Sequence, residues 1–424
     1  MKVSLKQQIN KIKTSKDGRT LLANFGYLSL LQVAGYVFPL ITMPYLARVI
    51  GAEGFGKIAF ASAVIVWVQT IADWGFNFTA TRDVAQSRDN KDNVSKIFSN
   101  VLWARCLLTL FSGVILFIFV AFVPYFKENV VVILATFLMV PGHVLFPDWF
   151  FQAIERMKYT TIFNLFLKLF FTIAVFVVIK EPDDYIWNPI LTSLGYLICG
   201  FFSLFLIIKR WNYRLYRPVW RDVLNTIKKS TDVFINNLMP NLYNSFSVML
   251  LGFFGGSMAN GIYDGGNKFP TIFHNLLNVI SRAFFPFLSR RGDKHKLFAY
   301  ISIGISIIGA IFLVLLSPFL IKLFLGTEFK DSVLINQIMS ISIVFLAISN
   351  VYGTNYLILC HHERELRNIT MIVSIIGMAA AFPLVYNFHV VGVALTVTLS
   401  RALLGILSFF GYLYIERKGC FKQK

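Results

Sequence analysis

Long apolar runs separated by short polar segments fill this chain from residue 21 onward. Each run is close to or longer than the roughly 20 apolar residues that an α-helix needs to cross a bilayer. The pattern predicts an all-α integral membrane protein with about twelve spanning helices. The predicted spans are Leu21–Leu46, Lys57–Thr79, Ile97–Val123, Val130–Gln152, Thr160–Ile179, Ile186–Ile208, Thr231–Phe254, Ile262–Leu288, Leu297–Leu316, Val333–Leu359, Ile369–Tyr386 and Val391–Ile415.

The polar connections between these runs alternate between strongly basic and weakly charged or acidic. Because basic connections stay on the cytoplasmic side, the alternation predicts that both termini are cytoplasmic. A central basic connection separates two sets of six spans, which share one orientation and are therefore related by a pseudo-two-fold axis along the membrane normal. The predicted segments are a basic cytoplasmic N-terminal segment (1–20), two six-helix bundles (21–208 and 231–415), a basic cytoplasmic linker (209–230) and a cytoplasmic tail (416–424).

A short internal repeat supports two related halves. Gly51–Gly56 and Gly256–Gly261 each join the first two spans of a half, and both segments begin and end with glycine at the same spacing. Pro39 and Pro240 interrupt the first span of each half. Weak matches of this kind indicate an internal duplication.

The composition agrees with a membrane protein and argues against several other classes. Hydrophobic residues make up 56% of the chain and charged residues 14%, whereas soluble domains contain about 25% charged residues. The net charge of +19 comes from residues that flank the spans, so it needs no nucleic-acid partner. The loops are too short for an external catalytic domain, and the sequence shows no P-loop, nucleophile triad or metal-ligand cluster. No catalytic residue, metal or cofactor is expected.

Several charged residues lie inside runs that are otherwise apolar. Such a charge is costly near the bilayer centre, so it faces a partner or a water-filled cavity. Counting 1.5 Å per residue from the nearest basic end places Asp73, Arg105 and Lys168 about 13–15 Å deep, near the middle of a ~30 Å core. Because Asp73 and Arg105 lie on consecutive spans, we predict that they form an ion pair, which leaves Lys168 unmatched.

The second half adds further polar residues inside its spans, including Lys268 with Asp264 one helical turn earlier as its expected partner. The excess of positive charge predicts a cationic central cavity suited to an anion such as a diphosphate, which arginine binds through two parallel hydrogen bonds. Alternatively, the charges form structural pairs and the asparagines join helices by hydrogen bonds. The predicted substrate-binding residues are Arg105, Arg282, Arg401, Lys168, Lys268, Asn237 and Asn241, and those predicted for charge pairing or ion coupling are Asp73 and Asp264.

Three segments carry a family resemblance: Gly51–Gly56, Ala72–Arg82 and Pro147–Lys158. At these residues the chain resembles the polysaccharide-biosynthesis flippases, the Wzx-type translocases of O-antigen and capsule units. These proteins belong to the multidrug/oligosaccharidyl-lipid/polysaccharide exporter superfamily. The second half fits the family pattern more loosely, and Asp148 and Asp264 stand where less charged residues are expected.

This resemblance implies two six-helix bundles around a central cavity that alternates between inward-open and outward-open states. It implies a transporter, not an enzyme, that moves undecaprenyl-diphosphate-linked oligosaccharide repeat units from the cytoplasmic to the periplasmic leaflet of the bacterial inner membrane. An ion gradient is expected to drive the cycle. The implied partners are the lipid-linked oligosaccharide, membrane lipids, and a polysaccharide polymerase with its chain-length partner.

Three alternative functions stay open from the sequence. A multidrug exporter of the same superfamily would have an acidic or aromatic cavity. A membrane polysaccharide polymerase or glycosyltransferase would carry a long external loop with catalytic groups. A scaffold within a polysaccharide assembly complex would have no need of buried charges.

Overall fold

The computed structural model of the protein describes residues 16–290 and 294–417, and within these ranges the chain forms helices joined by short turns, without a β-strand. The all-α prediction is therefore confirmed for the described chain. Most of the predicted N-terminal segment (1–20) and of the predicted tail (416–424) lies outside the described residues.

Fourteen α-helices can be numbered along these ranges. The first half of the chain contains α1 (Lys16–Asp73), α2 (Phe76–Gln86), α3 (Lys91–Phe122), α4 (Pro124–Glu128), α5 (Val130–Phe137), α6 (Met139–Leu145), α7 (Asp148–Ala153), α8 (Met157–Val178) and α9 (Trp187–Phe205). The second half contains α10 (Trp220–Leu238), α11 (Ser245–Arg290), α12 (His295–Phe324), α13 (Ser332–Ile348) and α14 (Glu363–Arg417). Short 3-10 or π-helical segments lie at Pro182–Ile186, Leu206–Arg210, Met239–Leu242, Thr327–Phe329 and Ser349–Leu357.

Three of these helices contain a break in their helical backbone. Gly51 (φ 63°, ψ −175°) interrupts α1, and Gly256 (φ 76°, ψ −175°) interrupts α11. Glycine adopts positive φ without steric cost, which explains why each break falls on the first glycine of a repeated segment. His389 (φ 46°, ψ −118°) interrupts α14. The two glycine breaks have nearly the same geometry, as the internal repeat predicts.

Nine helical stretches among the described residues are long and apolar enough to cross a membrane. Three of them, Ser29–Gln86, Trp220–Ser281 and Glu363–Arg417, contain 58, 62 and 55 residues. A helix of 55 residues extends about 80 Å, far more than a ~30 Å hydrocarbon core. Each of the three stretches can therefore cross twice. The count of twelve spans requires all three to do so and stays a prediction.

The outer surface of the helices is strongly apolar. On α3, Leu110 and Phe117 are each 70% exposed and Phe122 is 81% exposed. Contiguous apolar exposure on this scale is rare in soluble proteins, whereas it is the normal surface of a helix that faces lipid. The protein is a multi-pass membrane protein.

The helices pack mainly within each half of the chain. In the first half, α1 packs on α3 and α8, and α9 packs on α6 and α8. In the second half, α11, α12, α13 and α14 pack on one another. The main contact between the halves is formed by α1 and α11, which are the two helices with a glycine break. The polar cavities described below lie along this seam.

The predicted linker at 209–230 is bound to the first half of the chain. The backbone amide of Tyr216 donates to Ser99 Oγ (2.9 Å), and that of Arg214 donates to Ser95 Oγ (3.2 Å). The indole Nε1 of Trp103 donates to the carbonyl oxygen of Tyr216 (2.9 Å). Residues one turn apart along α3 thus satisfy the backbone of an extended segment. The sequence suggested only a polar connection here.

Candidate functional site

A cavity of about 540 Å³ with a mixed apolar and polar wall lies between α1 and α11. Its volume falls in the range of 300–1,000 Å³ that is usual for ligand sites. Apolar side chains such as Leu46 and Phe55 form most of the wall, and amide and hydroxyl groups form the rest. The polar lining consists of Tyr36, Thr42, Ser62, Asn188, Asn244, Ser245, Tyr263, Asp264, Asn267, Lys268, Thr271 and Asn275.

The charged residues on this wall are a single acid and a single base. Lys268 Nζ lies 2.7 Å from Asp264 Oδ2, and the two side chains are 38% and 28% exposed. The predicted i,i+4 pair is therefore present, and both partners line the cavity. Since their charges cancel, the described lining is close to neutral. The expectation of a mainly cationic cavity is wrong for this described lining, because Arg105, Arg401 and Lys168 are not part of it.

Arg105 lies in the core of the first half and pairs with Asp73 as predicted. Arg105 Nη2 donates to Asp73 Oδ1, and the arginine side chain is 1% exposed. His143 Nε2 lies 3.5 Å from Asp73 Oδ2 on the other side of the carboxylate. Asp73 therefore joins three helices, α1, α3 and α6. The guanidinium offers no surface to the large cavity, so contact between Arg105 and a substrate stays a prediction.

A second cavity, of about 420 Å³, adjoins the Asp73 carboxylate. Asn237 and Asn241 both line it, so the structure brings these predicted residues together with Asp73. Asn241 Nδ2 donates to Thr70 Oγ1 (3.0 Å) and thereby links the 3-10 segment at Met239–Leu242 to α1. Val66 lines both cavities, which places the two side by side. Asn241 thus joins helices and lines a cavity at once.

Lys168 and Arg401 lie away from acidic partners. Lys168 Nζ is 3.9 Å from the place that a Cβ on Gly35 would occupy, and Gly35 lines the large cavity. Arg401 Nη1 donates to Ser342 Oγ (2.9 Å). Among the ion pairs of the described residues, neither Lys168 nor Arg401 has an acidic partner. The side chain of Arg282 lies outside the described residues.

Sequence reasoning missed most of the cavity lining. Asn188, Asn267 and Asn275 line the large cavity, although the sequence did not single them out as site residues. A signal existed, because each is an amide in a segment that is otherwise lipid-soluble. The sequence could not show that these amides, one on α9 and two on α11, face one space. Within the part of the chain that the structure describes, no group of three or more His, Cys, Asp or Glu side chains could hold a metal ion.

The fold is that of a known class of membrane transporters. The chain matches a structure titled "Lipid II flippase MurJ, inward closed conformation" with a TM-score of 0.74 and 12% identity, over 92% of this chain and 87% of that one. It also matches an inward-facing multidrug resistance MATE family transporter of the MOP superfamily, with a TM-score of 0.69 and 13% identity, over 94% of this chain and 99% of that one. At such low identity these matches establish the fold alone.

The chain belongs to the polysaccharide biosynthesis protein family, whose model matches residues 21–292. A relative named "Putative O-antigen transporter" from Escherichia coli (strain K12) is 26% identical over 393 residues, which is 91% of this chain and 94% of the relative. A relative of the same name from Shigella dysenteriae is 27% identical over 390 residues, or 90% of this chain and 97% of the relative. The family resemblance predicted from the sequence is confirmed.

Proposed function

We propose that this protein is a flippase for lipid-linked oligosaccharides. It would move undecaprenyl-diphosphate-linked repeat units of the O-antigen or capsule type from the cytoplasmic to the periplasmic leaflet of the bacterial inner membrane. The observation that carries the proposal is the cavity of about 540 Å³ between the two halves, whose wall carries amide and hydroxyl groups among its apolar side chains. Relatives named as O-antigen transporters support the substrate class.

The cavity wall suits a glycan better than a purely apolar ligand. Amide and hydroxyl groups both donate and accept hydrogen bonds, as sugar hydroxyl groups do. The unmatched polar groups of a sugar would cost several kcal/mol each in lipid, and a wall of Asn188, Asn244, Asn267 and Asn275 replaces their bonds to water. The polyprenyl tail needs no such replacement and can stay in the bilayer.

Lys268 is the best-placed group for the diphosphate. It lines the large cavity and is 38% exposed, so it can exchange part of its contact with Asp264 for a phosphate oxygen. Lys168 lies behind Gly35, outside the lining itself, and offers a second positive charge nearby. Arg401 and Arg282 are proposed as further contacts from the second half.

Replacing Lys268 with glutamine is expected to lower export of the lipid-linked glycan about tenfold, since one charge-assisted hydrogen bond to phosphate is lost. Lys57→Gln is the matched control. Lys57 also forms an i,i+4 pair, with Glu53 at 2.9 Å, but it does not line the cavity. Surface glycan is quantified against membrane-embedded protein for both variants. Equal export by the two variants would show that Lys268 does not take part in substrate binding.

Asp73 is the proposed centre of ion coupling. Its carboxylate lines the second cavity and lies between Arg105 and His143. Binding of a proton or another cation at Asp73 would weaken its attraction to Arg105. Because α1 carries both Asp73 and the glycine break, a change at this pair is in a position to alter how the two halves meet.

A multidrug exporter is the second candidate. A flippase is expected to have a cationic cavity and a multidrug exporter an acidic or aromatic one. The described wall of the large cavity is close to neutral, so it does not exclude the exporter. A strain that lacks the gene separates the candidates. Undecorated lipid-linked units should accumulate on the cytoplasmic leaflet of that strain, and plasmid-borne protein should restore export. Normal surface glycan together with increased drug sensitivity would favour the exporter instead.

The proposed orientation has both termini in the cytoplasm. The proposed partners beyond the substrate and membrane lipids are a polysaccharide polymerase and its chain-length protein, which would receive the exported units. Both proposals follow from the family resemblance and from the distribution of basic loops.

A further inference from the structure

The two repeated glycine turns, Gly51–Gly56 and Gly256–Gly261, pack against each other across the seam between the halves. A Cβ on Gly56 would lie 1.6 Å from the carbonyl oxygen of Ser257, and a Cβ on Gly261 would lie 1.9 Å from the carbonyl oxygen of Ala52. Only glycine permits so close an approach of backbone to backbone. Both turns lie at the end of the cavity that the loop charges predict to be periplasmic. At this end the two halves are in contact.

A loop of the second half reaches over the same contact. Glu328 lies in the 3-10 turn Thr327–Phe329, between α12 and α13. Its Oε1 accepts a hydrogen bond from the backbone amide of Ala52 at 2.9 Å. Ala52 is the first residue of the helical part of α1 that follows the break at Gly51. Its amide is therefore one of the N–H groups that the start of a helix leaves without an intrahelical partner.

The charge of Glu328 suits this position. The start of a helix carries partial positive charge, which attracts a carboxylate. A hydrogen bond with a charged partner contributes more than a neutral one. The carboxylate also fills the space beside Gly51, because a Cβ there would lie 3.0 Å from Glu328 Oε2. One acidic side chain of the second half thus caps a helix of the first half.

Two neighbouring contacts bind the same loop to α1. Arg48 Nη2 donates to the carbonyl oxygen of Leu323 at 3.2 Å. The rings of Phe55 and Phe329 meet edge to face with centroids 5.6 Å apart, and Phe329 is fully buried. The segment Leu323–Phe329 is therefore attached to α1 on both sides of the break at Gly51. The two halves cannot separate at this end without breaking the contact between Glu328 and Ala52.

We propose that Glu328 is a positioning residue that holds this end of the cavity closed by capping the amide of Ala52. The inference rests on the proposed alternating access, for which it names the contact that must open and re-form in each cycle. Glu328 lies at an exposed position, so water solvates the carboxylate as soon as the cap breaks. The contact is therefore readily reversible.

Accessibility of the cavity tests this role directly. Ser62 lines the large cavity, and Ser62→Cys introduces a thiol there with little change in size. A membrane-impermeant maleimide is applied to sealed vesicles of each orientation, and labelling of the parent protein is subtracted. In the Glu328→Ala background, Ser62→Cys should be labelled about tenfold faster from the side of the glycine turns. Labelling of Asp183→Cys, in the exposed turn Pro182–Ile186, identifies the vesicles in which the side of the glycine turns faces the reagent.

Asp331→Ala is the matched control, since Asp331 is an exposed acid of the same loop whose side chain caps no helix. Glu328→Gln should fall between the wild type and Glu328→Ala, because its amide oxygen can still accept from Ala52 without the charge. Equal labelling in the Glu328→Ala and Asp331→Ala backgrounds would overturn the proposal. Labelling needs no substrate, so a shifted rate in a protein that exports no glycan would reject the flippase function and retain the role of Glu328.

Discussion

Alanine at Gly56 or at Gly261 is expected to reduce glycan export by at least tenfold. Each added methyl group would overlap a carbonyl oxygen of the other half, at 1.6 Å from Ser257 and 1.9 Å from Ala52. Backbone atoms cannot turn aside as a flexible side chain can, so the halves must move apart at this end. A cavity that cannot close on one side cannot alternate its access. Export should fail although the protein stays in the membrane.

Gly304→Ala provides the control for this prediction. Gly304 lies within α12, and a Cβ there would meet no atom within 4 Å. Alanine is also the better helix former, so Gly304→Ala should be neutral or slightly stabilising. Surface glycan and membrane-embedded protein are measured together for the three variants. Wild-type export by Gly56→Ala or Gly261→Ala would show that the contact between the glycine turns has no part in transport.

Arg105→Met is expected to destabilise the folded protein by about 3–5 kcal/mol, because removal of one partner leaves a buried charge without compensation. Arg105 is 1% exposed and its partner Asp73 is 18% exposed. Methionine keeps much of the side-chain length but cannot neutralise the carboxylate. The unfolding midpoint of detergent-purified protein and the fraction recovered from membranes should both fall.

The double variant Asp73→Asn, Arg105→Met should regain most of the lost stability, since replacing both charges of a buried pair is often close to neutral. A double variant no more stable than Arg105→Met would contradict this account of the pair. Arg105→Glu should be the most damaging substitution, because two carboxylates would then share one buried site.

The pairing of Asp73 with Arg105 could be predicted because depth in a membrane follows from residue count. A helix rises by 1.5 Å per residue, and basic ends mark the interface, so two opposite charges at one depth on consecutive spans have few other partners. The same reasoning paired Lys268 with Asp264 across one helical turn. Both predictions depended on local geometry and chain order alone.

The cavity lining could not be predicted in the same way. Which face of a helix turns toward the seam depends on contacts between helices that are far apart in sequence. The positive charge of the cavity was therefore overestimated from the sequence. Arg105 pairs with Asp73 inside the first half, and Arg401 donates to Ser342. Asn188 and Asn275 line the large cavity, but their local sequence shows only an amide within an apolar run and not the space that the amide faces.

The sequence alone determined the membrane class, the all-helical fold and the repeated glycine turns, because each depends on composition, periodicity or spacing along the chain. Its motifs carried the resemblance to the family. The tertiary structure decided how these parts meet. It placed Gly56 against Ser257, set Glu328 on the amide of Ala52 and bound the linker to α3. These contacts join residues separated by up to 276 positions. They arise from the packing of whole helices, so no local pattern in the sequence reveals them.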